Sequence, residues 1–77
     1  MQTKAYILIE TAVGESNIVV DSLRLIPEMV SVNPVTGPYD IIATIEASDL
    51  NAIGDIITSD IHTITGIIRT VTCLSLS

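Results

Sequence analysis

The order of elements along this chain is strand, helix, strand, strand, helix, strand, which predicts an α+β sandwich: a four-stranded antiparallel sheet with two helices on one face. Three observations carry that prediction. Thirty of the 77 residues are β-branched (14 Ile, 7 Val and 9 Thr), which favours a substantial sheet. Two stretches with helical start signals lie between the strand-like runs. Turn residues at Gly14, Gly37-Pro38 and Gly66 punctuate the whole.

Residues 3–11 alternate in places and are rich in Ile, Leu and Tyr, giving the first strand. Val13-Gly14-Glu15-Ser16 opens a helix running to about Ile26; Glu15 and the Ser16-Asn17 pair suit its start and Pro27 marks its stop. Met29 to Thr36 is the second strand. Pro34 within it cannot donate a ladder hydrogen bond, so this strand belongs at a sheet edge or beside a bulge. Gly37-Pro38 then turns the chain into a third strand, from Tyr39 or Asp40 through Ala47. Ser48-Asp49 is a good N-cap pair for a second helix over about Asp49 to His62. Its Leu50, Ile53, Ile57, Ile61 and Ile64 recur at steps of three or four and form one buried stripe. Gly66 breaks the chain, and Ile67 to Leu76 is the fourth strand. Two crossovers joined by a hairpin make the ferredoxin-like βαββαβ arrangement, in which the second strand is an edge.

Composition narrows the function classes. At 77 residues the chain is one domain, near the lower limit for a self-sufficient core, yet 48% of it is hydrophobic and its mean hydropathy is +0.62. Disorder requires the opposite. Apolar runs such as Tyr6 to Ile9 are far below the roughly 20 residues of a membrane span. Met1-Gln2-Thr3-Lys4 leads straight into the first strand, so no secretory signal is expected. The single cysteine, Cys73, cannot form an internal disulfide, and a reducing cytoplasm is the expected compartment. Nine acids face only Lys4, Arg24 and Arg69, for a net charge of −6. Direct nucleic-acid binding, which depends on neutralising phosphates, is not expected.

The strand patterns point to self-association. In the fourth strand Ile67, Arg69, Val71, Cys73 and Ser75 share one face, and Ile68, Thr70, Thr72, Leu74 and Leu76 the other. Ile41, Ala43, Ile45 and Ala47 of the third oppose Ile42, Thr44 and Glu46. Neither strand has a properly polar face, as expected of a sheet packed against another sheet, so a face-to-face homodimer is predicted.

Catalytic constellations are nearly absent. His62, the only histidine, has no nucleophile motif beside it, Cys73 reads as a small core or interface residue, and Asp60 and His62 are wrongly spaced for one helix face. The four glycines are isolated, so there is no phosphate loop. Neither an enzyme, a metal nor a cofactor is expected. One local feature is richer: Gly37-Pro38-Tyr39-Asp40 joins a tight turn, an aromatic ring and a carboxylate at a strand start. Turn chemistry alone accounts for Gly and Pro. A small pocket is the alternative, with backbone amides for a carboxylate and Asp40 for an ammonium group, the pairing a free amino acid needs.

Val35-Thr36-Gly37-Pro38-Tyr39-Asp40-Ile41-Ile42-Ala43, together with Gly66-Ile67-Ile68-Arg69-Thr70-Val71-Thr72, resembles the effector-binding (RAM) domain of the Lrp/AsnC feast/famine regulators. That family's pattern is a V-x-G-x-[YF]-D turn, an aliphatic strand, an acid-capped helix and G-[VI]-x-x-T-x-T leading into the last strand. The resemblance spans essentially the whole chain. It implies a sheet-to-sheet dimer that assembles further, commonly as a tetramer of dimers in an octamer-like ring, with amino-acid effectors in clefts between dimers. Gly37, Pro38, Tyr39 and Asp40 would form the effector loop, Leu50 would line its apolar side, Leu74 and Ser75 match further effector-responsive positions, and Thr70 and Thr72 match the family's repeated threonines, which also suit a plain β-branched sheet face. Full-length members carry an N-terminal helix-turn-helix; here Met1 stands directly before the first strand, so a stand-alone domain over 1–77 is expected, one that either binds amino acids as a sensor or co-assembles with full-length regulators and alters their oligomeric state. Ser75 is polar where members often carry an aliphatic residue. Three other readings compete: a ligand-free oligomerisation module, an ACT-like regulatory domain, and a dimeric ferredoxin-like monooxygenase, the last disfavoured by one His and no Phe or Trp.

Overall fold

Four strands and two helices follow one another in the expected order in the computed structural model, which describes residues 2–76. Met1 and Ser77, which the assignment of one domain to 1–77 includes, lie outside the described residues. The elements are β1 (Thr3–Thr11), α1 (Ser16–Leu23), β2 (Met29–Pro34), β3 (Ile41–Ala47), α2 (Leu50–Ile56), a π-helical turn (Ile57–Ile61) and β4 (Ile67–Leu74). All strand pairs are antiparallel, in the order β2-β3-β1-β4. The ferredoxin-like βαββαβ sandwich read from the sequence is therefore the fold. Pro34 closes β2, an edge strand as its missing donor requires.

Several boundaries differ from the sequence reading. Helix α1 ends at Leu23, short of Ile26, because the residue before Pro27 is pushed out of the helical region. Leu25 and Ile26 instead donate to the Ser22 and Leu23 carbonyls, a tightening that consumes the last carbonyls of the helix. Glu15 holds the N-cap position without capping by its side chain, and the Ser16 hydroxyl is engaged with Thr11. Strand β2 stops at Pro34 instead of Thr36, β3 starts at Ile41, and β4 stops at Leu74 instead of Leu76.

The second helix departs most. Asp49 does cap it, its Oδ1 accepting from the Ala52 amide at 2.8 Å. After Ile56 the helix widens: the His62 amide donates to Ile57 O at 2.8 Å, a five-residue step. That extra residue per turn changes which side chains point inward. Ile53, Ile56 and Ile61 are buried, Ile57 and Ile64 are only half-buried, and Leu50 is 59% exposed. A uniform stripe of Leu50, Ile53, Ile57, Ile61 and Ile64 is thus corrected, because the period is not constant along the segment.

The core lies between the helices and one sheet face. Ala5, Ile7 and Ile9 of β1, Val32 of β2, and Ile41, Ala43 and Ile45 of β3 meet Val19, Val20 and Leu23 of α1 and the buried isoleucines of the second helix. The core is wholly aliphatic, so its specificity comes from β-branched packing.

The opposite sheet face carries no helix. Asn33, Ile42, Leu8 and Val71 line up across it in one row, and Ser31, Thr44, Tyr6 and Cys73 in the next. Glu10 pairs with Arg69 at one end and Lys4 with Glu46 at the other, at 3.4 and 3.9 Å. A register shift at Glu10/Thr11 puts Thr11 opposite Ile67 and leaves Ile68 as the extra residue. Ile67 therefore packs against the core, a correction to the predicted grouping of Ile67 with Arg69, Val71, Cys73 and Ser75. No helix among the described residues is long and apolar enough to cross a membrane.

The packing sets the expected outcome of three substitutions, each read by urea unfolding. Ile7→Ala, at a fully buried position, should cost about 2–5 kcal/mol, whereas Val13→Ala, wholly exposed, should change stability by less than about 0.5 kcal/mol. Gly66→Ala should cost more than about 1 kcal/mol, because Gly66 has φ +104 and an added Cβ would lie 3.0 Å from Val19 Cγ2.

Candidate functional site

The turn Gly37-Pro38-Tyr39-Asp40 leaves the sheet where the β1–β3 ladder ends, at the Ile9–Ile41 pair. Gly37 has φ +121, a left-handed conformation that a side chain would strain. Asp40 is then pinned three times: its amide donates to Ile9 O at 2.9 Å, its carbonyl accepts from Val35 N at 2.9 Å, and its Oδ2 accepts from the Thr11 amide at 2.8 Å. The last bond has a clear cause. The chain turns away at Asp40, and a buried Thr11 beside the bulge needs an acceptor for its N–H, which the carboxylate supplies. The Thr11 hydroxyl continues the network to the Ser16 hydroxyl at 2.8 Å, tying the start of α1 to the same corner.

Tyr39 meets Arg69 of β4. The guanidinium carbon lies 5.4 Å from the ring centroid and Nη2 donates to the phenol oxygen at 3.5 Å. Thr70, paired with Ile9, sits at the same end of the sheet, and its hydroxyl is 3.2 Å from His62 Nε2. Thr72 pairs with Ile7, farther along β4.

Leu50, Leu74 and Ser75 lie elsewhere. Leu50 follows the far end of β3; Leu74 pairs with Ala5, and the Ser75 amide donates to Lys4 O at 2.9 Å. The seven residues of β3 separate Asp40 from Leu50's end, a span of about 20 Å. The chain thus brings Gly37, Pro38, Tyr39, Asp40 and Thr70 to one end of the sheet and leaves Leu50, Leu74 and Ser75 at the other. Thr72 and Leu74 are exposed on the helix side of β4.

A groove of about 680 Å³ opens at the Leu50 end, between β2, the end of β3 and α2, lined in part by Glu28, Met29, Glu46, Ala52, Asp55 and Ile56. None of the expected site residues lines it. Its three carboxylates would repel the carboxylate of an amino acid, so the turn remains the better candidate. No group of three or more His, Cys, Asp or Glu among the described residues could hold a metal ion.

Sequence reasoning missed Thr11, Glu10, Ser16 and Arg69 as partners of this corner. For Thr11 no local signal existed, because its role depends on a bulge between strands far apart in sequence. Arg69 did have one: it is one of only three cations in the chain.

Known proteins share this architecture. The family model for the Lrp/AsnC ligand binding domain matches residues 4–77. TTHA0845 from Thermus thermophilus has a similar structure, with 28% identity, TM-score 0.92 and coverage of 97% of this chain and 94% of that one. The hypothetical protein PHS023 from Pyrococcus horikoshii is 31% identical, with TM-score 0.91 over 100% of this chain and 92% of that one. The transcriptional regulator NMB0573 from Neisseria meningitidis, solved as a complex with L-Met, shares the fold at 19% identity and TM-score 0.87, over 97% of this chain and 50% of that one. No curated protein sequence matches the chain.

The Asp40 network gives a prediction that separates its two possible roles. Asp40→Ala should cost about 1–3 kcal/mol in thermal or urea unfolding by orphaning the Thr11 amide. Asp40→Asn, which keeps an acceptor oxygen, should recover most of that stability.

Proposed function

The chain belongs to the Lrp/AsnC ligand binding domain family, and from that membership we propose that it is an amino-acid-binding regulatory module whose effector site is completed only when copies assemble. One observation carries the reading: Gly37, Pro38, Tyr39 and Asp40 stand at one end of the sheet, while Leu50, Leu74 and Ser75 stand at the other. A second copy is what brings the two ends together. The L-Met complex of the Neisseria meningitidis regulator supports an amino acid as the class of ligand.

Two uncovered surfaces support assembly. The open sheet face has an apolar centre of Leu8, Ile42, Val71 and Tyr6. Each of its ends carries one cation and one anion, Glu10 with Arg69 and Lys4 with Glu46, so a copy turned end for end meets complementary charge. This face makes the homodimer. The strip of half-buried Thr70 and exposed Thr72 and Leu74 on the helix side of β4 is the second surface, through which dimers join into a ring of octamer type. Ligand held between dimers then shifts the assembly equilibrium by its differential affinity for the joined and separate states. Co-assembly with full-length family members, of which this chain matches about half the length, is the route by which such a module acts on transcription. The Asp40 amide, carbonyl and one carboxylate oxygen are spent on the fold, leaving Oδ1 and the backbone of Gly37 and Tyr39 for the effector, with Leu50 and Leu74 of another copy on the apolar side.

A ligand-free oligomerisation module is the second reading, favoured by that same commitment of Asp40 to Thr11. Thermal-shift titration with each of the twenty amino acids decides between them. An effector present at a hundred times its Kd should stabilise the protein by about 2.7 kcal/mol; no shift with any amino acid at millimolar concentration leaves the structural module standing. Sedimentation equilibrium tests the assembly itself: Leu8→Glu should yield monomers, while Val13→Glu, outside the sheet face, should not.

A further inference from the structure

We propose that Arg69 is a positioning residue that joins the effector turn to the open sheet face, so that covering the face and fixing Tyr39 are one linked event. The inference rests on the reading that a second copy covers this face. Arg69 stands on β4 directly opposite Glu10, with Nε 3.4 Å from Glu10 Oε1, so its base belongs to the open face. Its guanidinium reaches off that face to Tyr39, thirty residues away in sequence, meeting both ring and hydroxyl. Of the chain's three cations it is the one so placed: Lys4 pairs with Glu46 at the opposite end of the face, and Arg24 follows α1.

The physical link is solvent. The Arg69 side chain is 59% exposed in the protomer, where ion pairs and cation–π contacts are each weakened by water. A copy seated on the face removes that water from one side of the guanidinium. Both of its contacts strengthen, and Tyr39 is held more firmly beside Asp40. Linkage makes the effect reciprocal: whatever repositions Tyr39 at the turn alters Arg69 on the face, and with it the affinity between copies. A turn residue with no place on the face would then control face-to-face association.

The test uses the intact chain. Tyr39→Leu and Arg69→Ala should each weaken association about fivefold in sedimentation equilibrium, and the double variant should be little worse than either alone. Arg69→Lys, which keeps the charge for Glu10 but loses the planar stack, should fall between wild type and Arg69→Ala. The chain has two arginines, so side-chain NMR of Nε–H groups gives two signals; Tyr39→Leu should move that of Arg69 and leave Arg24 in place. Association unchanged by Tyr39→Leu, or effects of the two single variants that add in full, would overturn the link while leaving the dimer intact. A wild-type chain that stays monomeric at every concentration removes the dimer and the link together, with the Arg69 signal still reporting whether it meets Tyr39.

Discussion

Two short helices, one of eight residues and one of seven prolonged by a five-residue π-helical turn, cannot cover a four-stranded sheet, and most of this molecule follows from that shortage. The helices bury the helix-side faces of β1 and β3 and little of β4, whose residues past Ile67 are half-buried at best. The other face is left entirely open. A chain with 48% hydrophobic residues has spent them on both faces, so its apolar surface exceeds what its own fold can hide. In a larger protein extra helices would take up that surface. In the proposed assembly a second copy takes their place, and the unit of stability would then be the assembly.

The corner around Asp40 shows how a short chain makes one residue serve several elements. A carboxylate that accepts the Thr11 amide fixes the bulged end of β1, the start of β3 and, through the Thr11 and Ser16 hydroxyls, the start of α1. Gly66, whose carbonyl accepts from Ala12, brings the β4 junction to the same place. Preorganisation of the turn therefore comes from hydrogen bonds between elements distant in sequence. This also explains why so few polar side chains are needed to build it.

The parts of the fold legible in the sequence were those governed by local rules. Pro34 marked an edge strand because proline lacks a donor wherever it stands, and Asp49 marked a helix start because its cap needs only the next three residues. What could not be read depended on partners far along the chain. The π-helical turn carries the buried position from Ile56 to Ile61, five residues on, though the spacing of isoleucines suited a regular α-helix equally well. The bulge at Glu10/Thr11 reversed the side on which Ile67 lies. For the site, the turn residues were visible as a motif, but their separation from Leu50, Leu74 and Ser75 is a property of topology.

The two edges of the sheet are unequal, and that inequality sets a limit on growth. Along β2 the edge is blunted by Pro34 at one end and by the register shift between Met29 and Ser31 at the other. Along β4, the other edge strand, the stretch from Arg69 to Leu74 pairs with β1 in unbroken register and holds neither a proline nor a bulge. Strand addition can therefore happen on one side only. Two sheets joined through β4 would present nothing but blunted edges to a third, so this route ends at a closed pair and cannot run on into a fibre.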